Sequence, residues 1–157
     1  MSFNKDFLKY AIALSETSSS AGHGGPFGAI VVKNGEIIGE GFNSVTSSND
    51  PTAHAEIVAI RNACARLNSF QLDGCEIYTS CEPCPMCLGA IYWARPDRVY
   101  YANTRYQAAD AGFDDAFIYD EIVMPPETRS IPMIHCSDKA AEQIFEMWKL
   151  NPDKTLY

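Results

Sequence analysis

The chain has 157 residues, of which 46% are hydrophobic, and this predicts one packed domain spanning residues 1–157. Its formal net charge is −8, with 12 Lys and Arg against 20 Asp and Glu, which argues against nucleic acid as a partner. No apolar stretch approaches the ~20 residues of a membrane span. The sequence also starts without the pattern of a signal peptide. We therefore expect a cytoplasmic protein with no membrane partner.

The first third of the chain predicts a helix followed by a hairpin. An apolar stripe over residues 3–16 is typical of an amphipathic helix, and residues 18–26 have the Ser- and Gly-rich composition of a loop. Residues 27–32 and 36–41 have strand patterns. An Asn-Gly pair joins them, and such a pair tolerates the positive φ angles of a tight hairpin turn.

Two helix-start signals follow in the middle of the chain. Asp50 is a capping residue type and Pro51 suits a first helical position, so we expect a helix that continues to Leu67. Pro85 begins a second helix, which Pro96 ends.

The remaining segments predict short strands and one more helix. Residues 75–79, 98–102 and 132–136 have strand patterns, residues 138–150 form a helix with one apolar side, and residues 103–130 give no clear pattern. The order of elements predicts an α/β fold, a three-layer α/β/α sandwich with a mixed central sheet.

Two segments carry residues with metal chemistry. The segment at 52–56 contains H-x-E and the segment at 83–87 contains P-C-x-x-C. Zinc binds imidazole nitrogen and thiolate sulfur, and a catalytic zinc site has three protein ligands with the fourth position left for water. We therefore predict that His54, Cys84 and Cys87 bind Zn²⁺. The two motifs together match the signature of zinc deaminases.

The spacing of these residues requires them to lie at helix starts. Cys84 and Cys87 are three apart and face the same way in a first turn, where free N–H groups favour the thiolate. His54 and Glu56 are two apart, so in the middle of a helix they would point to opposite sides. We expect two helix N-termini directed at one zinc ion.

Glu56 is the predicted catalytic acid and base. Zinc lowers the pKa of bound water toward ~7, which gives hydroxide near neutral pH. Glu56 would take the proton of that water and deliver it to the ring and the leaving amine of a substrate.

Cys81 leaves an alternative open. As a fourth ligand it would close the metal site, and the protein would then be a structural-zinc binding module. We favour a buried neighbour of the site, because Pro83 redirects the chain after Cys81. The other cysteines, Cys64, Cys75 and Cys136, are expected in the core.

Beyond the metal motifs, the sequence resembles the cytidine deaminase-like superfamily and, within it, the bacterial guanine deaminases. The matching stretches are GGPFGA (24–29), NDPTAHAE (49–56), YTSCEPCPMCLGAIYWAR (78–95), AGFDDAFIY (111–119) and the terminal Tyr157. The GFDD and YWAR stretches favour guanine. The resemblance implies conversion of this purine base to xanthine and ammonia. It also implies a homodimer, often with the C-terminal segment, about 138–157, exchanged between subunits.

The resemblance also implies substrate contacts. Asn43 would bond the purine ring, Phe27 would flank it, Asp115 would bind its edge and relay a proton, and Tyr157 would close the pocket. The simpler alternatives are that Asn43 caps a turn, that Phe27 is a core residue and that Asp115 forms a solvated pair with Asp114.

A free base needs an apolar slot with a few placed polar groups. Phe27, Trp93 and Phe113 are candidates for the walls of this slot. We also predict that Ala55, the residue between His54 and Glu56, contacts the substrate.

Other activities share the metal motifs. A tRNA adenosine deaminase shares DPTAHAE and EPCxMC but needs a basic surface, whereas this chain is acidic. Relatives acting on cytidine usually have Cys in place of His54, and a riboflavin-pathway deaminase carries a second domain for which 157 residues leave no room. Another small base, a nucleoside or a triazine also stays open as the substrate.

Overall fold

The structure is a computed structural model that describes residues 3–157. In chain order its elements are α1 (Lys5–Ser20), β1 (Gly28–Lys33), β2 (Glu36–Phe42), α2 (Val45–Ser48), α3 (Ala55–Leu67), β3 (Cys75–Cys81), α4 (Pro85–Ala94), β4 (Arg98–Asn103), α5 (Arg105–Asp110), α6 (Ala116–Val123), a 3₁₀ turn (Pro126–Thr128) and α7 (Lys139–Leu150). They form two compact units, one through Asp115 and one from Ala116 to Tyr157. Within the described residues, none of the helices combines the length and the apolar character needed to cross a bilayer.

The strands of the first unit form a mixed sheet in the order β2-β1-β3-β4. β1 pairs antiparallel with both β2 and β3, and β3 pairs parallel with β4. The turn between β1 and β2 has positive φ at Asn34 (52°) and Gly35 (81°), as the Asn-Gly signal predicts. The mixed sheet is therefore confirmed.

Helices cover this sheet on both faces. On one face, α1 packs on Ile30 and Val32 of β1. On the other face, Ala29 and Val31 of β1 and Ile77 of β3 share one buried cluster with side chains of α3 and α4, among them Ala59 and Ile91. Alternate residues of β1 thus enter different layers, because successive side chains of a strand point to opposite faces. The three-layer α/β/α architecture is confirmed.

Two glycines of β2 let α3 lie directly against the sheet. A Cβ atom on Gly41 would lie 2.5 Å from the carbonyl oxygen of Ala55, and one on Gly39 would lie 2.5 Å from that of Ala59. Side chains at these positions would push the helix away. The close contact therefore sets the position of the first turn of α3, which carries Glu56.

α3 begins later than the sequence indicated. The Asp50 carboxylate does not cap it but accepts hydrogen bonds from the Thr52 backbone N–H (2.8 Å) and hydroxyl (2.7 Å), which closes a separate turn. The helix begins at Ala55, with His54 as its N-cap residue. His54 and Glu56 thus lie at a helix start, as predicted, although Asp50 and Pro51 are not the residues that start it.

The C-terminal unit corrects two predictions. Residues 132–136 do not form a strand, because an apolar run becomes one only beside a partner strand, and this run pairs with none in residues 3–157. Cys136 is exposed and is not a core residue. The last helix is confirmed, with the Asp138 carboxylate accepting a hydrogen bond from the Ala140 N–H at 2.7 Å.

Candidate active site

The first turns of α3 and α4 bring three potential metal ligands together. His54 is the N-cap residue of α3, Cys84 is the N-cap residue of α4, and Cys87 lies in the first turn of α4. The His54 Nδ1 atom lies 3.5 Å from the Sγ atom of each cysteine. In the described part of the chain, this is the group of His, Cys, Asp and Glu residues whose ligand atoms all lie within 4.8 Å of one another.

These separations fit a zinc ion. With Zn–N near 2.0–2.1 Å, Zn–S near 2.3 Å and tetrahedral angles, a nitrogen and a sulfur ligand lie about 3.5 Å apart. This is the separation found between His54 Nδ1 and each sulfur. The donor set of one imidazole and two thiols suits zinc, and the helix N-termini beside it stabilise negative charge on the thiolates. The three residues therefore fit zinc as a group.

The protonation of the two cysteines is coupled. A hydrogen bond from the Cys87 thiol, assisted by His54, lowers the pKa of the Cys84 thiol to about 4. The same contact with Cys84, together with burial, raises the pKa of Cys87. The hydrogen bond with Cys84 also raises the pKa of His54. The contact between the two cysteines therefore favours the thiolate at Cys84 and the thiol at Cys87.

Glu56 lies buried beside this group, with 5% of its surface exposed. Its Oε2 atom is 3.3 Å from Cys87 Sγ, and its Oε1 atom accepts a hydrogen bond from the Thr79 hydroxyl at 3.1 Å. Burial raises the pKa of the Glu56 carboxyl. A carboxyl that retains a proton more readily than a surface glutamate, next to a metal group, has the properties of a general acid and base.

Asn43 follows β2 and is 6% exposed, with its side-chain amide fixed by backbone groups. Its Oδ1 atom accepts hydrogen bonds from the backbone N–H groups of Gly25 (3.2 Å) and Val45 (3.3 Å). A Cβ atom on Gly24 would overlap Oδ1, so this glycine makes the approach possible. The amide oxygen therefore stabilises a turn, and the amide nitrogen is the group that can donate to a ligand.

Ser18 of α1 supports Asn43, a role that the sequence analysis missed. The helix continues to Ser20, so Ser18 lies in its last turn rather than in the predicted loop. Its hydroxyl is fully buried, 2.6 Å from the carbonyl oxygen of Asn43 and 3.0 Å from that of Gly25. This contact joins α1 to the two segments that hold the Asn43 amide.

Phe27 and Asp115 also belong to the first unit. Phe27 packs edge-on against Phe113, with ring centroids 5.0 Å apart, and Phe113 stays 44% exposed. Asp115 is partly buried, whereas Asp114 is exposed. Burial, followed by the negative charge of Cys84, raises the pKa of the Asp115 carboxyl. The electrostatic effect of Cys84 indicates that Asp115 lies in the surroundings of the metal group.

The structure gives the positions of three other predicted substrate contacts within their own elements. Trp93 lies near the C-terminal end of α4, about 13 Å of helix rise from Cys84, and is 64% exposed. Ala55 is fully buried in the core between α3 and the sheet, so its side chain presents no surface to a ligand. Tyr157 belongs to the C-terminal unit and is 69% exposed.

Cys81 is separate from the three-residue group. It is buried at the end of β3, and its thiol contacts the carbonyl oxygen of Thr104 at 3.7 Å. Burial raises its pKa to about 11, so the thiol is protonated at neutral pH. This position favours the interpretation of Cys81 as a buried neighbour and not as a fourth ligand.

Comparison with known proteins first defines the class. Residues 1–103 match the family described as the cytidine and deoxycytidylate deaminase zinc-binding region. The chain belongs to this family and is therefore a zinc-dependent hydrolytic deaminase. Its mixed sheet and helices are those of the cytidine deaminase-like fold.

Individual proteins similar to this chain include guanine deaminases and a tRNA-specific adenosine deaminase. A guanine deaminase of Bacillus subtilis (strain 168) is 55% identical over 154 residues, which are 98% of this chain and 99% of the relative. The X-ray structure of guanine deaminase from Bacillus subtilis matches with a TM-score of 0.96 and 54% identity, covering 99% of each chain. A structure of guanine deaminase from Nitrosomonas europaea matches with a TM-score of 0.68 and 34% identity, over 73% of this chain and 66% of that one. A tRNA-specific adenosine deaminase of Aquifex aeolicus (strain VF5) is 47% identical over 96 residues, which are 61% of this chain and 63% of the relative.

Exchange of single cysteines tests the ligand set. Cys84→Ala removes a proposed ligand, so we expect it to abolish stoichiometric zinc binding and to lower the thermal midpoint of unfolding. Cys81→Ala is the matched control, a neighbouring cysteine at the end of β3, and should retain one zinc per chain by elemental analysis. Loss of zinc from the Cys81 variant as complete as from the Cys84 variant would instead indicate a closed, structural site.

Proposed function

We propose that this enzyme converts guanine and water to xanthine and ammonia. The observation that carries the proposal is the extent of the similarity to guanine deaminase, which covers 98% of the chain. The match to the tRNA-specific adenosine deaminase covers only 61%. The near-complete match includes the C-terminal unit from Ala116 to Tyr157. The net charge of −8 also favours a small neutral base over tRNA.

We assign the proton transfers to Glu56. A zinc ion held by His54, Cys84 and Cys87 would supply a Lewis acid that lowers the pKa of a water molecule. The Glu56 carboxylate accepts a proton from the attacking water and passes it to the ring nitrogen beside the reacting carbon. It then carries the proton of the added hydroxyl group to the amine nitrogen, which leaves as ammonia. One C–O bond forms and one C–N bond breaks, so each ammonia released consumes one water. The raised pKa of Glu56 suits a group that both takes and returns a proton.

We assign substrate recognition to polar groups at the edge of an aromatic wall. The Asn43 amide nitrogen would donate to an acceptor of the purine, because the amide oxygen is already held by backbone N–H groups. Phe27 and Phe113 would flank the ring. Asp115 would accept from the N–H donors beside the reacting carbon and would relay a proton. The role of Tyr157 stays a prediction.

A substrate panel tests the proposed activity. Purified, zinc-loaded protein is incubated with guanine, guanosine, adenine, cytosine or tRNA at equal concentration, and released ammonia is measured. We expect release from guanine, with xanthine as the second product. Glu56→Ala should retain zinc and fold but reduce kcat by roughly 10²–10⁴-fold, the usual contribution of acid–base catalysis.

Two results of this panel would contradict the proposal. Deamination of tRNA without deamination of any free base would overturn the substrate assignment. A Glu56→Ala variant with the normal rate would overturn the proton-transfer mechanism.

We also infer a homodimer in which both units of each chain form one deaminase domain, 1–157. α7 exposes several large apolar side chains, namely Ile144 (66%), Phe145 (71%), Met147 (71%) and Trp148 (43%). Soluble monomers rarely expose apolar groups of this size together, and a second copy would cover them. We propose that the C-terminal segment, about 138–157, is exchanged between the subunits.

Sedimentation velocity tests the dimer. We expect a mass of two chains for the wild-type protein and a shift toward one chain for Phe145→Glu, which places charge on the exposed face of α7. A Lys139→Glu variant, at the start of the same helix, introduces the same side chain outside the apolar group and should stay dimeric. A monomeric wild-type protein at micromolar concentration would contradict the inference.

The proposed zinc site and reaction also suggest where the enzyme acts and in which pathway. Two thiolates are needed to hold zinc, and the cytoplasm keeps thiols reduced, so we place the enzyme there. Conversion of guanine to xanthine removes an amino group from a purine base. We therefore assign the enzyme to guanine catabolism.

A further inference from the structure

Thr79 is a buried hydroxyl residue that contacts the proposed catalytic carboxylate. It is 1% exposed and lies on β3, where it pairs with Ala29 of β1 on one side and Tyr101 of β4 on the other. Its hydroxyl donates to Glu56 Oε1 at 3.1 Å. We propose that Thr79 is a positioning residue that anchors Oε1 and leaves Oε2 to exchange protons. This inference rests on the proposed role of Glu56.

The two oxygens of Glu56 have different surroundings. Oε1 is held by a sheet residue, whereas Oε2 is on the side of the metal group, 3.3 Å from Cys87 Sγ. The terminal torsion of a glutamate has a broad, roughly two-fold distribution, so the carboxylate alone does not fix which way it faces. The Thr79 side chain is stiff because it is β-branched, and its strand is held on both sides. It is therefore a rigid anchor.

The remaining contacts of the carboxylate do not replace this anchor. In the described residues these are the Cys87 thiol and the backbone N–H of Glu56 itself. A cysteine that binds a metal is a thiolate and has no proton to donate. The backbone N–H belongs to the same residue and cannot tie the carboxylate to the sheet. Thr79 is thus the side-chain donor that links Glu56 to β3.

The next residue supplies a matched control. Ser80 is also a buried hydroxyl residue of β3, 4% exposed, and it accepts a hydrogen bond from the Gly28 N–H at 3.0 Å. As neighbours on a strand, Ser80 and Thr79 point to opposite faces of the sheet. Loss of either hydroxyl removes one buried hydrogen bond, but only loss of that on Thr79 removes a contact with Glu56.

Kinetics of three variants test the proposal. Thr79→Val removes the hydroxyl with little change of shape, and we expect it to keep zinc and a nearly unchanged KM while kcat falls about 10- to 100-fold, as for other residues that orient a metal site. Thr79→Ser restores the donor and should recover most of kcat. Ser80→Ala should retain the wild-type kcat. An undiminished kcat in Thr79→Val, or an equal loss in Thr79→Ser or Ser80→Ala, would overturn the proposal.

Infrared spectroscopy gives a readout that does not depend on the substrate. The difference between wild-type and Glu56→Gln spectra identifies the carboxylate bands of Glu56. Because a hydrogen bond to one oxygen changes these frequencies, we expect the bands to shift in Thr79→Val and to return in Thr79→Ser. Bands that stay in place in Thr79→Val would overturn the inference. If the wild-type protein released no ammonia from any free base, the proposed function would fail, while the infrared result would still decide the role of Thr79.

Discussion

The site depends on the meeting of two helix N-termini at three ligand atoms. His54 and Cys84 each occupy an N-cap position, so the side chains and the free N–H groups of two first turns are directed to the same place. Two sulfurs and the Glu56 carboxylate bring negative charge into this buried region. The helix N-termini and a divalent cation offset that charge. Without both helix starts, neither the ligand distances nor the position of Glu56 would be maintained.

The sheet holds these helix starts in place. Gly39 and Gly41 of β2 let the backbone of α3 lie directly on the strand, and β3 ends at Cys81, three residues before Cys84, the N-cap residue of α4. The side-chain amide of Asn43 is also held by backbone groups, namely the N–H groups of Gly25 and Val45. The groups that we assign to chemistry are therefore held by backbone contacts of rigid elements, which is the arrangement that preorganised catalysis requires.

The sequence predicted the features that depend on nearby residues. The spacing of Cys84 and Cys87, the Asn-Gly turn and the apolar run of β1 each depend on residues close together in the sequence, so the sequence predicted them. It misplaced the start of α3, because Asp50 can close a turn as well as cap a helix. The predicted strand at 132–136 was also wrong, because an apolar pattern does not reveal whether a partner strand is present. Ser18 and Thr79 gave no signal, because their contacts join elements distant in the chain.

X-ray absorption at the zinc edge of the purified protein tests the central claim most directly. The account predicts two sulfur neighbours at about 2.3 Å and two nitrogen or oxygen neighbours at about 2.0–2.1 Å, one from His54 and one from solvent or substrate. Cys84→Ala should lose this spectrum together with the metal. A first shell of three sulfurs and one nitrogen, which would make Cys81 a ligand, or a purified protein that binds no zinc, would contradict the account.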